Sequence, residues 1–184
     1  MNLRIETGPV ENLSEYSHVP MRFLVTSRLD IPALRRGEFV EIPVSPWLKD
    51  YDLLEPIATL DERFDTRFWG RLMAYRTENN VLVGGCIVVW KWGSEMLEDR
   101  EDLAILWDIR VRSEFQSQGI GRQLFAAAME WARERDCTEL RVETQDVNVP
   151  ACQFYTAMGC RLLSVQELAY IGMDEAKIIF TIPV

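Results

Sequence analysis

Two glycines one residue apart, Gly119 and Gly121, stand at the junction of an alternating apolar run and an amphipathic one. The junction reads Val111-Arg112-Ser113-Glu114-Phe115-Gln116-Ser117-Gln118-Gly119-Ile120-Gly121-Arg122. Glycines there let the backbone turn tightly and let a ligand reach the amides with no Cβ in the way. The first-turn N–H groups of a following helix lack intrahelical partners, and the helix dipole adds about half a positive charge. A pyrophosphate meets both needs. Alone, a Gly-x-Gly reads as an ordinary turn; its place between strand and helix is what points to an anion. Leu124 stands where a dinucleotide fingerprint has its third glycine, and no Gly-Lys-Ser/Thr follows to make a P-loop.

A second group lies about 30 residues on. Asn148 precedes Pro150, which suits the first turn of a short helix, so Asn148 reads as its N-cap. Tyr155 shares a helix face with Ala151, Phe154 and Met158, and reads as a core aromatic. Other reactive types point less far. His18, the single histidine, has no carboxylate or cysteine pattern around it and reads as a surface or packing residue. Cys86, Cys137, Cys152 and Cys160 show no CxxC spacing, which argues against a zinc site and a disulfide framework. Nothing near Cys152 would depress its pKa, so a nucleophile is not expected there. Trp90, Trp92 and Trp107 read as core, with a pocket lining as the alternative.

Periodicity supplies the elements that must hold these residues. RLMAYRT, a turn at Glu78-Asn79-Asn80, and VLVGGCIVVWKW predict a hairpin with a long apolar second strand. Gly84-Gly85 inside it predicts a bulge or a close backbone approach. The acidic SEMLEDRED reads as a solvated connection. Leu103 to Arg112 is a strand and Gln118 to Arg135 a helix, with Ile120, Leu124, Ala127, Ala128 and Trp131 on one face. Glu139 to Thr144 is a strand, and the helix begun at Pro150 stops at Gly159. Two strands close the chain, about 160–170 and 176–182, with a turn near Gly172. The middle strand–helix–strand reads as a parallel crossover. Upstream, Met21–Leu29 and Gly37–Val44 read as strands, while Pro43, Pro46 and Pro56 break SPWLKDYDLLEPIATL into loop or short helix.

Composition bounds the function. A length of 184 residues suits one domain, and 48% hydrophobic residues make a packed core the default. The net charge of −9 repels nucleic acid and would draw in a cationic small molecule, or simply keep the protein soluble. The first ten residues carry charges and no apolar run of signal-peptide length, and no stretch reaches the ~20 apolar residues of a membrane span. A reducing cytoplasm suits the cysteines.

The segment Gln116-Ser117-Gln118-Gly119-Ile120-Gly121 resembles the Gln/Arg-x-x-Gly-x-Gly/Ala acetyl-CoA loop of the GNAT superfamily of N-acetyltransferases. IRVRSEFQSQGIGRQL is similar to that family's strand–turn–helix throughout. Asn148-Val149-Pro150-Ala151-Cys152-Gln153-Phe154-Tyr155-Thr156-Ala157-Met158-Gly159 resembles its Asn-x-x-Ala-x-x-x-Tyr-x-x-x-Gly segment, with Cys160 where the family usually has an aromatic. Within the superfamily, WDIRV, VETQDVNVPACQFYTAMGC and LAYIGMDEAKIIFTIP look like streptothricin acetyltransferases. FLVTSRLDIPALRRGEFVEIPV does so more loosely. The motif-bearing part is about 70–184, and residues 1–70 are expected to be strands and loops on the substrate side of one domain.

The resemblance implies a mixed α/β fold: a central, largely antiparallel twisted sheet with a parallel strand–helix–strand crossover, flanked by helices. It implies acetyl-CoA as co-substrate, held by Ile109, Val111, Gln116, Ser117, Gln118, Gly119, Ile120, Gly121, Arg122, Asn148 and Tyr155. The Val111 N–H would polarise the thioester, and Tyr155 would protonate the departing thiolate. Asp108 and Glu143, on neighbouring strands, would bind an ammonium group or accept its proton; alternatively each makes a strand-end hydrogen bond or faces solvent. Tyr170 would join them in the substrate pocket. No metal is expected, nor a nucleic-acid or membrane partner, and the protein would be a monomer or homodimer. The acceptor would be a small cationic amine, streptothricin first, with a protein N-terminus or lysine next. A non-catalytic acyl-CoA-binding module is the alternative of another class.

Overall fold

The computed structural model describes residues 2–184. In chain order its elements are β1 (Leu3–Pro9), β2 (Arg22–Leu29), α1 (Ile31–Arg35), β3 (Glu41–Asp50), α2 (Tyr51–Leu54), α3 (Leu60–Arg63), β4 (Gly70–Arg76), β5 (Leu82–Trp90), β6 (Leu103–Val111), α4 (Ile120–Arg133), β7 (Glu139–Gln145), α5 (Val149–Ala157), β8 (Arg161–Gln166) and β9 (Lys177–Pro183). The fold class is the expected mixed α/β one, a large and mostly antiparallel sheet with one parallel pair, flanked by helices. The chain divides into two compact units. One holds the residues up to Met21, Tyr51–Leu140 and Pro183–Val184; the other holds Arg22–Asp50 and Arg141–Ile182.

In the first unit the strands run β1-β4-β5-β6, each antiparallel to the next. The predicted hairpin is β4–β5. Its register shifts between Ala74↔Gly84 and Tyr75↔Leu82, so the expected bulge falls at Val83. Gly85 makes a close approach as well: a Cβ there would sit 2.5 Å from the Tyr16 ring. A second shift, between Ile87↔Asp108 and Val88↔Leu106, makes Trp107 the extra residue of β6. Helix α4 buries Ile120, Leu124, Ala128 and Trp131 of the predicted face, with Phe125 and Ala132 beside them, while Ala127 is half-buried. It begins at Ile120 rather than Gln118, because Ser117 and Gly119 both have positive φ. The core joins Leu13, Tyr16 and Val19 to Leu60, Trp69, Ile87, Val89 and Ile105. Edge strand β1 is absent from the sequence-based expectations.

In the second unit β2 and β3 form an antiparallel pair, and β7-β9-β8 run as hydrogen-bonded neighbours. Strand β3 includes Pro43, within the predicted strand Gly37–Val44, and runs on through Pro46 to Asp50, where the sequence predicts loop or short helix. Between Val25↔Trp47 and Ser27↔Pro43 the register shifts, and residues 44–46 bulge opposite Thr26, which spares Pro46 a ladder bond. One buried ion pair and one part-buried one tie this hairpin to residues 146–176. Lys49 Nζ lies 2.7 and 2.8 Å from the Glu175 carboxylate oxygens, and Arg28 Nε donates to Asp146 Oδ2 at 2.6 Å. Strand β8 ends at Gln166, earlier than expected, so Tyr170 lies on the connection to β9.

Candidate active site

Strand β6 delivers its last residues to the glycine loop. Arg112 donates its backbone N–H to Val83 O at 2.9 Å. In an antiparallel ladder successive N–H groups alternate in direction, so the Val111 N–H points away from β5. The Val111 carbonyl accepts from Gln116 Nε2 at 3.1 Å, and Gln118 Nε2 donates to Glu114 O at 3.3 Å. Gln116 and Gln118 thereby brace the turn. Gly119, at φ +81° and ψ 4°, is the N-cap of α4 and offers no side-chain acceptor to its first turn. A Cβ on Gly119 would meet nothing within 4 Å. Residues 116–119 and Arg122 are exposed, and Ile120 turns into the core. An uncapped, exposed helix start of this kind suits the pyrophosphate of acetyl-CoA.

Asp108 lies on the same strand, buried rather than open to a substrate. Arg110 Nε and Nη2 grip its two oxygens at 2.9 and 2.6 Å, and the Tyr16 hydroxyl donates to Oδ1. The Arg110 guanidinium also donates to Val19 O at 2.9 Å and to Asp52 Oδ1 at 2.8 Å. Burial, reinforced by the Asp108 charge, pushes the Tyr16 hydroxyl well above the usual tyrosine range. Asp108 pairs its charge inside the protein, the hydrogen-bonding alternative to an ammonium ligand or general base. The sequence reading missed Tyr16, Asp52 and Arg110. Opposite charges two apart in the otherwise apolar LAILWDIRV were the available signal, since alternation puts them on one face.

In the second unit Glu143, on β7, and Tyr170 meet: the Tyr170 hydroxyl donates to Glu143 Oε1 at 2.8 Å. Gln145 Nε2 donates to the same hydroxyl at 2.9 Å. Lys177 Nζ stands 3.3 Å from Glu143 Oε2, with both side chains part-exposed. Gln145 and Lys177 were not foreseen. Asn148 caps α5, its Oδ1 accepting from Ala151 N at 3.2 Å. Tyr155 is buried, its ring 6.0 Å from that of Phe180. The stripe α5 buries is Val149, Cys152 and Tyr155, rather than the face through Phe154 and Met158 that the sequence suggests.

The acetyltransferase (GNAT) family pattern matches residues 37–160. The chain belongs to the GNAT acetyltransferase family. Streptothricin acetyltransferase A of Bacillus subtilis is 27% identical over 170 residues, 90% of each chain. Streptothricin acetyltransferase of Escherichia coli is 28% identical over 161 residues, 87% of this chain and 82% of its own. Among solved structures, nourseothricin acetyltransferase superposes with a TM-score of 0.74 at 24% identity, covering 100% of this chain and 99% of its own. A Bacillus anthracis protein described as a streptothricin acetyltransferase, in complex with acetyl coenzyme A, gives 0.78 at 24%, with the same coverage. These two establish the fold.

This GNAT protein is thus an acetyl-CoA-dependent acetyltransferase. His18 is exposed at the end of a 3₁₀ turn, Tyr16–His18. Trp107 packs on Phe64 and Trp69, and Trp90 and Trp92 pack on Phe68. All four cysteines are free and buried. Burial pushes the Cys152 thiol up to about 12 and the Cys137 and Cys160 thiols up to about 11. Among the described residues no helix is long and apolar enough to cross a membrane.

Proposed function

We propose that this protein transfers an acetyl group from acetyl-CoA to a primary amine of a small cationic acceptor of the streptothricin kind. The amine attacks directly, with both substrates bound, in one catalytic domain working in the cytoplasm. The observation that carries the acceptor class is the similarity, over nearly the whole chain, to two proteins named streptothricin acetyltransferases. The part-exposed carboxylate of Glu143, steadied by Tyr170, supports it from the site.

When bound, acetyl-CoA supplies an activated acetyl thioester. The first-turn amides of α4, reached past Gly119, hold its pyrophosphate, and Asn148 contacts its arm. The Val111 N–H, directed away from β5, polarises the acetyl carbonyl. Tyr155 holds the proton that the departing thiolate takes. Glu143 attracts the acceptor's ammonium and takes a proton from it, directly or through water, so that a neutral amine can attack. Asp108, held by Arg110 and Tyr16, keeps the end of β6 in place.

An acceptor screen with acetyl-CoA, read by free-thiol release, tests the reading. The expected result is turnover on streptothricin that weakens as salt rises, since exposed charges are screened within ~10 Å at 0.1 M. A preference for neutral or anionic amines at every salt concentration would refute the acceptor class. So would failure of the expressed protein to shield a sensitive bacterium from streptothricin.

A further inference from the structure

The second unit holds two lysine–glutamate pairs of opposite character. Lys49 and Glu175 have side chains only 4% and 6% exposed, and the ammonium touches both carboxylate oxygens at 2.7 and 2.8 Å. Those are the lengths of strong charge-assisted bonds in a site closed to water. Lys177 and Glu143 are each 28% exposed, and their single contact is 3.3 Å. The first pair holds structure together. The second is loose enough for water, or another cation, to enter.

What surrounds Lys177 Nζ is the chemistry of an alkylammonium seat. A carboxylate oxygen lies on one side, and the Tyr170 ring centroid lies 5.8 Å away. The seat is fixed from behind. The Tyr170 hydroxyl has one proton, and an ionised Glu143 can only accept, so that proton goes to Oε1. Gln145 Nε2 donates into the same hydroxyl, which settles the direction. Oε1 is committed to Tyr170, and Oε2 faces the cation. Lys177 is anchored by its backbone opposite Gln166 in the β8–β9 ladder, while its four-carbon stem leaves the ammonium free to swing out.

We propose that Lys177 is an intramolecular competitor, whose ammonium occupies the Glu143–Tyr170 seat until an acceptor ammonium displaces it. The inference rests on the acceptor role given to Glu143 above. Exchanging one ammonium for another is nearly neutral in free energy, so an acceptor with a single cationic group gains little. An acceptor with two or more ammonium groups keeps further interactions after the exchange. Lys177 therefore selects polycationic amines over monoamines.

The test uses the full chain with Lys177→Met or Lys177→Arg, and 1,4-butanediamine as the probe. Calorimetric titration is run at low salt without acetyl-CoA. Lys177→Met is expected to bind the diamine about fivefold more tightly than the parent, the scale of a part-exposed ion pair. Lys177→Arg, which keeps a cation able to pair with Glu143, retains the weaker binding. Unchanged acetyl-CoA affinity in a parallel titration shows that the variants are folded. A Lys177→Met protein that binds the diamine no more tightly than the parent overturns the proposal. So does a diamine bound by neither protein. A binding gain without turnover on any amine would leave the seat standing and remove the acceptor reading instead.

Discussion

Gly119→Val separates backbone strain from contact with a ligand. Gly119 has φ +81°, a left-handed conformation that costs an L-residue roughly 1–2 kcal/mol. A Cβ there meets open space, so backbone strain is the cost that the free protein shows at that atom. Gly37 gives a matched control, with φ +82° and equally nothing within 4 Å. Both valine variants should therefore lose similar stability. For a chain of this length each kcal/mol lowers Tm by about 2–4 °C, so a drop of roughly 2–8 °C is expected in each. The two part company on acetyl-CoA. If the first-turn amides of α4 hold the pyrophosphate, a branched side chain on Gly119 stands where the ligand must come. Its dissociation constant should rise at least tenfold, about 1.4 kcal/mol. Gly37→Val should bind as the parent does. Thermal unfolding and calorimetric titration of the three proteins give all the numbers. A folded Gly119→Val protein with parental affinity refutes the assignment of the loop, as does an equal loss of affinity in Gly37→Val.

Tyr155→Phe removes one hydroxyl and leaves the ring against Phe180, so kcat should fall about 10²-fold with little change in acetyl-CoA affinity. An unaltered kcat, where chemistry limits the rate, would make Tyr155 a packing residue. Asp108→Asn should lower stability by about 3 kcal/mol, the low end for breaking a buried pair, because Asp52 still faces Arg110. Denaturant unfolding measures this, and a loss of acceptor use at parental stability would return Asp108 to the substrate. The raised thiol pKa values predict that at pH 8 the folded protein reacts only slowly with a disulfide reagent, and that all four cysteines react once it unfolds. Rapid reaction of any native thiol would contradict their burial.

Legibility in the sequence followed the range of the interactions. The glycine loop and the starts of α4 and α5 are set within a few residues, by backbone φ and by capping, so local spacing reveals them. The β4–β5 hairpin and the apolar face of α4 announce themselves by periodicity. Strand β1 alternates, yet its charged, half-exposed residues hide it at a sheet edge. Strand β3 runs through two prolines because a bulge opposite β2 accommodates one, and no local pattern foretells a bulge. The Tyr16–Asp108 bond joins residues 92 apart in the chain, beyond anything a window of sequence can show. Glu143 and Tyr170 became candidates through family likeness, and their hydrogen bond is visible only once the strands are paired.

The first-unit residues that flank the β2–β3 hairpin in the chain bond to each other. Tyr51 N donates to Met21 O at 3.0 Å, and Met21 N donates to Asp52 Oδ2 at 2.9 Å, under the Arg110 guanidinium. Residues 22–50 are therefore a cassette with a closed neck, and the neck needs nothing from the cassette's interior. Protein engineers can exchange such a segment for a relative's while keeping the bonds of its neck. The exchange must also refit the rest of the second unit, where Leu29 N donates to Asp146 O at 3.0 Å and Val25, Leu29 and Leu34 are buried. Lys49 and Arg28 would leave with the cassette, stranding the buried carboxylates of Glu175 and Asp146, so a working chimera must bring cations to the same two places.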